Sequence, residues 1–159
     1  MGKFQVYLKK FSDSLFGSYS QIFFSNNKWF AGLLILSTFL DPYTGFSGLL
    51  AILITLISAR LFGLSPVSIK SGYYSFNSLL VGLMMGHYYS FSLEFFVILS
   101  FISLLTLFIT AWLDSQLSKS GLPFLSLPFM LAVWVVLLSI RNFGTISLNE
   151  RGIFTINEM

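Results

Sequence analysis

Residues 64–93, LSPVSIKSGYYSFNSLLVGLMMGHYYSFSL, form the stretch on which the fold turns. The run is long enough and apolar enough to lie at membrane depth, yet it carries Gly72, Ser75, Asn77, Ser78, Gly82 and Gly86. Unsatisfied backbone cannot face hydrocarbon, so irregular or broken helix at that depth survives only where protein or a water-filled cavity covers it. The stretch therefore predicts a half-helix followed by a full one, inside a bundle. A second interruption, Gly121-Leu-Pro-Phe-Leu-Ser-Leu-Pro-Phe129, opens the last hydrophobic segment, and each of its prolines removes a donor and frees an upstream carbonyl. Broken helices at the midplane are where transporters build solute and ion sites.

Outward from that stretch, the 159-residue chain is 55% apolar and 18% aromatic but only 9% charged, with a mean hydropathy of +0.82. A soluble domain is about 25% charged. Too few ionic groups remain to solvate a globule of this size, which excludes a soluble single-domain enzyme. Disorder needs low hydrophobicity with high net charge, and a coiled coil needs charged e and g positions, so both fail as well. The chain reads as an all-α integral membrane protein.

Charges are costly in hydrocarbon, and about 20 apolar residues span it as a helix, so the intervals between charges mark the candidate spans. Residues 29–40, preceded by the apolar-aromatic run 21–24, end at Asp41, and residues 42–59 end at Arg60. Residues 71–93 end at Glu94, 95–113 at Asp114, and 120–140 lie between Lys119 and Arg141. That gives five hydrophobic segments in a membrane domain over residues 21–141. Residues 1–20 never build the continuous apolar core of a signal peptide. They predict an amphipathic interfacial or cytoplasmic segment, with Phe4, Tyr7, Leu8 and Phe11 at helical spacing and Lys3, Lys9 and Lys10 available to anionic headgroups. Residues 142–159 form a polar tail or linker.

With the N-terminus inside, the cytoplasmic face receives Lys3, Lys9, Lys10, Arg60, Lys70 and Lys119, against Arg141 and Arg151 outside. Lys28 stands apart, at the start of the first segment, where its stem can snorkel. The bias predicts a multi-pass protein of the cell membrane with a cytoplasmic N-terminus. The basic residues are scattered without interleaved aromatics, so no nucleic-acid partner is implied. Chemistry is excluded residue by residue. There is no Cys, and the one histidine, His87, has no companion ligand and fits an aromatic belt beside Tyr88 and Tyr89. No Ser-His-Asp set, HExxH or phosphate loop is present, so neither catalytic residues nor a cofactor or metal is expected.

Three ordered runs carry a resemblance: Gln21-Ile-Phe-Phe-Ser-Asn-Asn27, then Ser71-Gly-Tyr-Tyr-Ser-Phe-Asn-Ser-Leu-Leu-Val-Gly82, then Leu122-Pro-Phe-Leu-Ser-Leu-Pro-Phe129 followed by Trp134. In that order and spacing, from about Ser14 to Arg141, the chain resembles the urea transporter family, and within it the N-terminal of two inverted repeats. The resemblance implies five transmembrane helices plus one half-membrane pore helix, a second homologous repeat absent from this sequence, and a homotrimer of complete protomers in the lipid bilayer. It also implies a narrow slot walled by Phe rings and edged by a ladder of oxygen acceptors. Urea is planar and neutral, with four N–H donors and one carbonyl, so flat rings select its shape while acceptors replace its lost water.

Carried over, Gln21 supplies a carbonyl near the ladder, Phe24 and Phe76 are slot walls, and Leu80 faces the constriction. Asn77 orients backbone or offers an acceptor, and Ser126 stands where the family usually has Thr. Ser71, Ser75 and Ser78 replace residues that are commonly Ala or Gly and bear on how tightly the pore helix packs. Asn27 is expected to cap the helix starting near Lys28. The expected function is channel-like, passive permeation of urea. Two alternatives remain: another small neutral solute such as ammonia or a short amide, and a nonconducting half-length subunit or fragment.

Overall fold

The computed structural model describes residues 3–25 and 27–143. The polar tail beyond residue 143, with Arg151, and the side chains of Lys3, Phe4, Tyr7, Leu8, Lys10 and Arg141 lie outside the described residues. Helices run as α1 (Lys3–Gln21), α2 (Lys28–Thr38), α3 (Pro42–Leu61), α4 (Pro66–Lys70), α5 (Phe76–Tyr88), α6 (Leu93–Leu117) and α7 (Leu127–Phe143), with a 3-10 turn at Ser118–Ser120. No strand occurs among the described residues.

Local chemistry sets the starts. Asn27 caps α2, its Oδ1 accepting the Trp29 N–H at 2.9 Å. Asp41 both ends the first hydrophobic segment and caps the next helix, its carboxylate accepting from the Tyr43 N–H at 3.2 Å and the Thr44 hydroxyl at 2.6 Å. Pro42 follows at the first helical position, where its missing donor costs nothing. Ser92 caps α6 through the Phe95 N–H.

Each of the five hydrophobic segments carries a helix, but their lengths differ. Among the described residues, two helices are long and apolar enough to cross a membrane, α3 and the run Leu93–Ser120. With 11 and 13 residues, α2 and α5 rise about 16 and 20 Å, short of a hydrocarbon core of about 30 Å. The stretch 64–93 accordingly becomes a single turn, α4, and a helix of half-membrane length, α5, in place of the expected half-helix and full helix. Gly72, at φ +77°, stops α4, and extended backbone at Tyr89 stops α5.

The tightest helix pair is α3 with α5. A Cβ on Gly82 would lie 2.6 Å from the Ser47 carbonyl oxygen, and the Ser47 hydroxyl donates to the Gly82 carbonyl at 2.7 Å. Small residues at a crossing let backbones approach, the packing device available when the surroundings are as apolar as the interior. The bundle buries small hydroxyl residues among a mostly apolar interior and is apolar outside as well. Ser47, Thr55, Ser103, Thr106 and Thr110 are buried, whereas Leu33, Leu36, Phe101, Trp112, Trp134 and Leu138 face outward. Three of the buried hydroxyls, on Ser103, Thr106 and Thr110, donate to the carbonyl one turn back in α6 at 2.7 Å.

The N-terminal segment enters this bundle. From Ser14 onward α1 buries Ser18, Tyr19 and Ser20, and its Gly17 presses against the Lys70 and Ser71 backbone. After the turn at Phe24 the chain returns toward its starting level, since Lys28 Nζ pairs with Asp13 at 2.8 Å and Lys70 reaches the same carboxylate at 3.7 Å. That pairing holds the Asp13 carboxyl below its ordinary value. The described charges thus gather at two ends. Asp13, Lys28, Arg60, Lys70, Asp114 and Lys119 share one, tied in part by the Tyr73 hydroxyl donating to Asp114 at 2.8 Å. Asp41 and Glu94 share the other, where Tyr43 meets Phe91 edge-on at 5.0 Å.

Candidate functional site

Three chain interruptions converge inside the bundle: the end of α1, the start of α5, and residues 121–126 before α7. The end of α1 is a paired-bond helix cap, with the Phe24 N–H donating to the Gln21 carbonyl and the Ser25 N–H to the Ser20 carbonyl, both at 3.0 Å. The left-handed residue in that cap is Phe24, at φ +53°. The same double bond closes α3 at Gly63, α4 at Gly72 and the turn after α6 at Gly121. Glycine takes the left-handed position without strain, while a residue with a side chain costs about 1–2 kcal/mol there. Phe24 is the exception among these four, and its ring is what the chain retains at that cost.

The ring meets Phe76, the first residue of α5, edge-on at 6.3 Å between centroids. Phe76 in turn stacks on Phe124 at 6.1 Å and 20°. Phe24 is 59% exposed, whereas Phe76 and Phe124 are each 2% exposed, so Phe24 presents the open face and the other two back it. Tyr73 continues the series, edge-on to Phe124 at 4.8 Å, with its hydroxyl held by Asp114.

Asn77 fixes the third interruption. Fully buried, it donates from Nδ2 to the Leu125 carbonyl at 3.2 Å and accepts the Phe129 N–H on Oδ1 at 3.3 Å. Of the two roles expected for it, these bonds are those of backbone orientation. Leu125 is the other non-glycine residue with positive φ among the described residues, at +47°. Both left-handed side-chain residues therefore lie in the segments that meet the start of α5.

The remaining expected site residues sit around this junction. Gln21 is the half-buried last residue of α1. Leu80, half-buried, lies one turn beyond Phe76 on the same face of α5. Ser126 is exposed just ahead of α7, its carbonyl accepting the Met130 N–H at 3.1 Å. The serines on the α4–α5 side divide: Ser75 pairs with the Ser18 hydroxyl at 2.6 Å and Ser78 reaches the Ser103 carbonyl at 3.4 Å, while Ser71 is exposed. They add bonds between elements where Ala or Gly would add none.

Sequence reasoning missed Phe124 and the Tyr73–Asp114 pair. Phe124 lies between Pro123 and Pro128, and that confinement is its signal in the sequence, whereas Asp114 marks only the end of a span there. No group of three or more His, Cys, Asp or Glu suited to a metal exists among the described residues.

A helical bundle with an apolar exterior, and with chain breaks meeting at buried aromatic rings, fits a membrane protein. Residues 12–156 match the family described as urea transporter, which covers nearly the whole chain. The chain belongs to the urea transporter family.

Proposed function

We propose that the protein passes urea down its gradient through a slot whose exposed wall is Phe24, and that neither cofactor nor covalent chemistry takes part. The observation that carries this reading is the phenylalanine kept in a left-handed helix cap where three equivalent caps use glycine. A ring retained against backbone preference has a use, and a flat apolar face suits a planar solute. The side-chain carbonyl of Gln21, at the end of α1, offers an acceptor near that ring. Phe76 and Phe124 stiffen the wall from behind, Leu80 extends it by a turn, and Ser126 offers a hydroxyl at its edge.

In this reading the second half of α1 enters the bundle and the chain turns back at Phe24, so part of the segment expected at the interface reaches into the site. The open face of Phe24 is where a second, inverted repeat supplies the opposing wall, and complete protomers assemble as trimers. The end bearing Lys28, Arg60, Lys70 and Lys119 faces the cytoplasm of the cell membrane.

The test is urea flux into proteoliposomes holding the complete two-repeat protein, followed by light scattering after an osmotic step. Faster urea entry than in protein-free liposomes is expected, with Phe24→Ala altering the ratio of urea to methylurea flux. Urea entry no faster than in empty liposomes overturns the reading. Faster entry of ammonia or short amides, without urea, assigns the slot to a different neutral solute.

A further inference from the structure

A cavity lies away from the ring junction, at the basic end of the bundle. It occupies about 680 Å³ between α1, the α3–α4 connection and α4. That volume falls within the roughly 300–1,000 Å³ of ordinary ligand pockets. Leu64, Pro66, Val67 and Ile69 supply apolar wall, Ser14 contributes from α1, and Arg60 and Lys70 stand at the edge. No carboxylate is among its lining residues. The Asp13 carboxylate is bound more closely by Lys28, at 2.8 Å, than by Lys70, at 3.7 Å, so another anion competes for the Lys70 ammonium against only a long contact. The sequence around the cavity also fits a boundary between hydrocarbon and headgroups. Leu61 and Phe62 point outward, close in sequence to Arg60.

We propose that this cavity binds one anionic phospholipid, with its phosphate held by Arg60 and Lys70 and the upper part of one acyl chain lying along Leu64, Pro66, Val67 and Ile69. Charge complementarity selects the headgroup: guanidinium grips phosphate through two parallel N–H bonds, while the lysine adds a point charge. The apolar walls select the lipid over a free anion, since inorganic phosphate gains nothing from them and desolvates against them. The open side is compatible with lateral entry from the bilayer, because Gly63 at the α3–α4 turn leaves clear space where a side chain would stand. The site is independent of the solute pathway: it involves none of Phe24, Phe76, Asn77 or Ser126.

The test compares thermal unfolding of the purified protein in detergent supplemented with phosphatidylglycerol, with phosphatidylcholine of the same chains, or with inorganic phosphate. Phosphatidylglycerol is expected to raise the midpoint by about 3 °C more than phosphatidylcholine, with no shift from phosphate alone. In Arg60→Gln/Lys70→Gln that difference disappears, and retention of phosphatidylglycerol in native mass spectra falls on the order of tenfold. A second variant, Leu64→Trp, places a larger side chain at a half-buried lining position while keeping both charges, and is expected to lower retention as well. Equal responses to the two lipids, an undiminished response in both variants, or a shift reproduced by phosphate alone overturns the proposal.

Discussion

At Phe24 a single backbone angle separates folding from function. A left-handed φ favours glycine, and the chain supplies glycine at the caps after α3, α4 and α6. Replacing Phe24 by glycine therefore removes strain at the cap while deleting the exposed ring. Thermal unfolding of Phe24→Gly is expected to show stability unchanged or raised by about 1 kcal/mol, with urea flux altered in the same preparation. A destabilised variant with normal flux would make the ring a packing residue. Asn77 predicts the opposite pairing of effects. Asn77→Ala leaves the Leu125 carbonyl and the Phe129 N–H without their buried partner, at a cost of about 2–4 kcal/mol, read as a lower unfolding midpoint. The first residue shapes the surface of the site, and the second holds its backbone in place.

Between elements, two glycines share one conformation and differ in surroundings. Gly63 and Gly72 each close a helix with positive φ, but a Cβ on Gly63 meets nothing within 4 Å, whereas one on Gly72 collides with the backbone of Gly17 and Ser18. Gly63→Ala is expected to cost about 1 kcal/mol, the backbone term alone. Gly72→Ala adds a backbone collision that α1 cannot relieve without leaving α4, for about 3 kcal/mol or more in total. Chemical denaturation of the two variants measures the difference, and equal losses would show that α1 does not bear on the α4–α5 turn. The sequence made such breaks legible because Gly, Pro and Asn act locally: the interruptions at residues 71–75 and 121–126 follow from residue types alone. Helix length did not follow from them. An apolar run has the same composition whether it is wound throughout or only in part, so the 13 residues of α5 emerged from its contacts with α3 and from where its caps fall. Nor could spacing reveal that Phe124 stacks on Phe76, since 48 positions separate them and only the bend at Leu125 brings them together.

For the whole molecule, the distribution of charge was the most legible property, because the cost of a charge in hydrocarbon is large and independent of detail. Arg60, Lys70 and Lys119, read as one face from their order along the chain, lie at one end of the bundle, and Asp41 and Glu94 lie at the other. Lys28 was unassignable in sequence because it starts a segment, and its pairing with Asp13 sets it with the basic group. The two-ended layout predicts labelling from opposite sides of a membrane. The chain has no cysteine, so Lys119→Cys and Glu94→Cys each carry a single thiol at an exposed position, at either end of the 25-residue helix α6. At about 1.5 Å per residue that helix separates them by more than a hydrocarbon core of about 30 Å. With the basic end cytoplasmic, an impermeant maleimide applied to intact cells is expected to modify Glu94→Cys and to spare Lys119→Cys, which reacts only after the membrane is opened. Modification of both thiols in intact cells would mean that α6 does not cross the bilayer, and reversed labelling would mean that the chain inserts with its basic end outward.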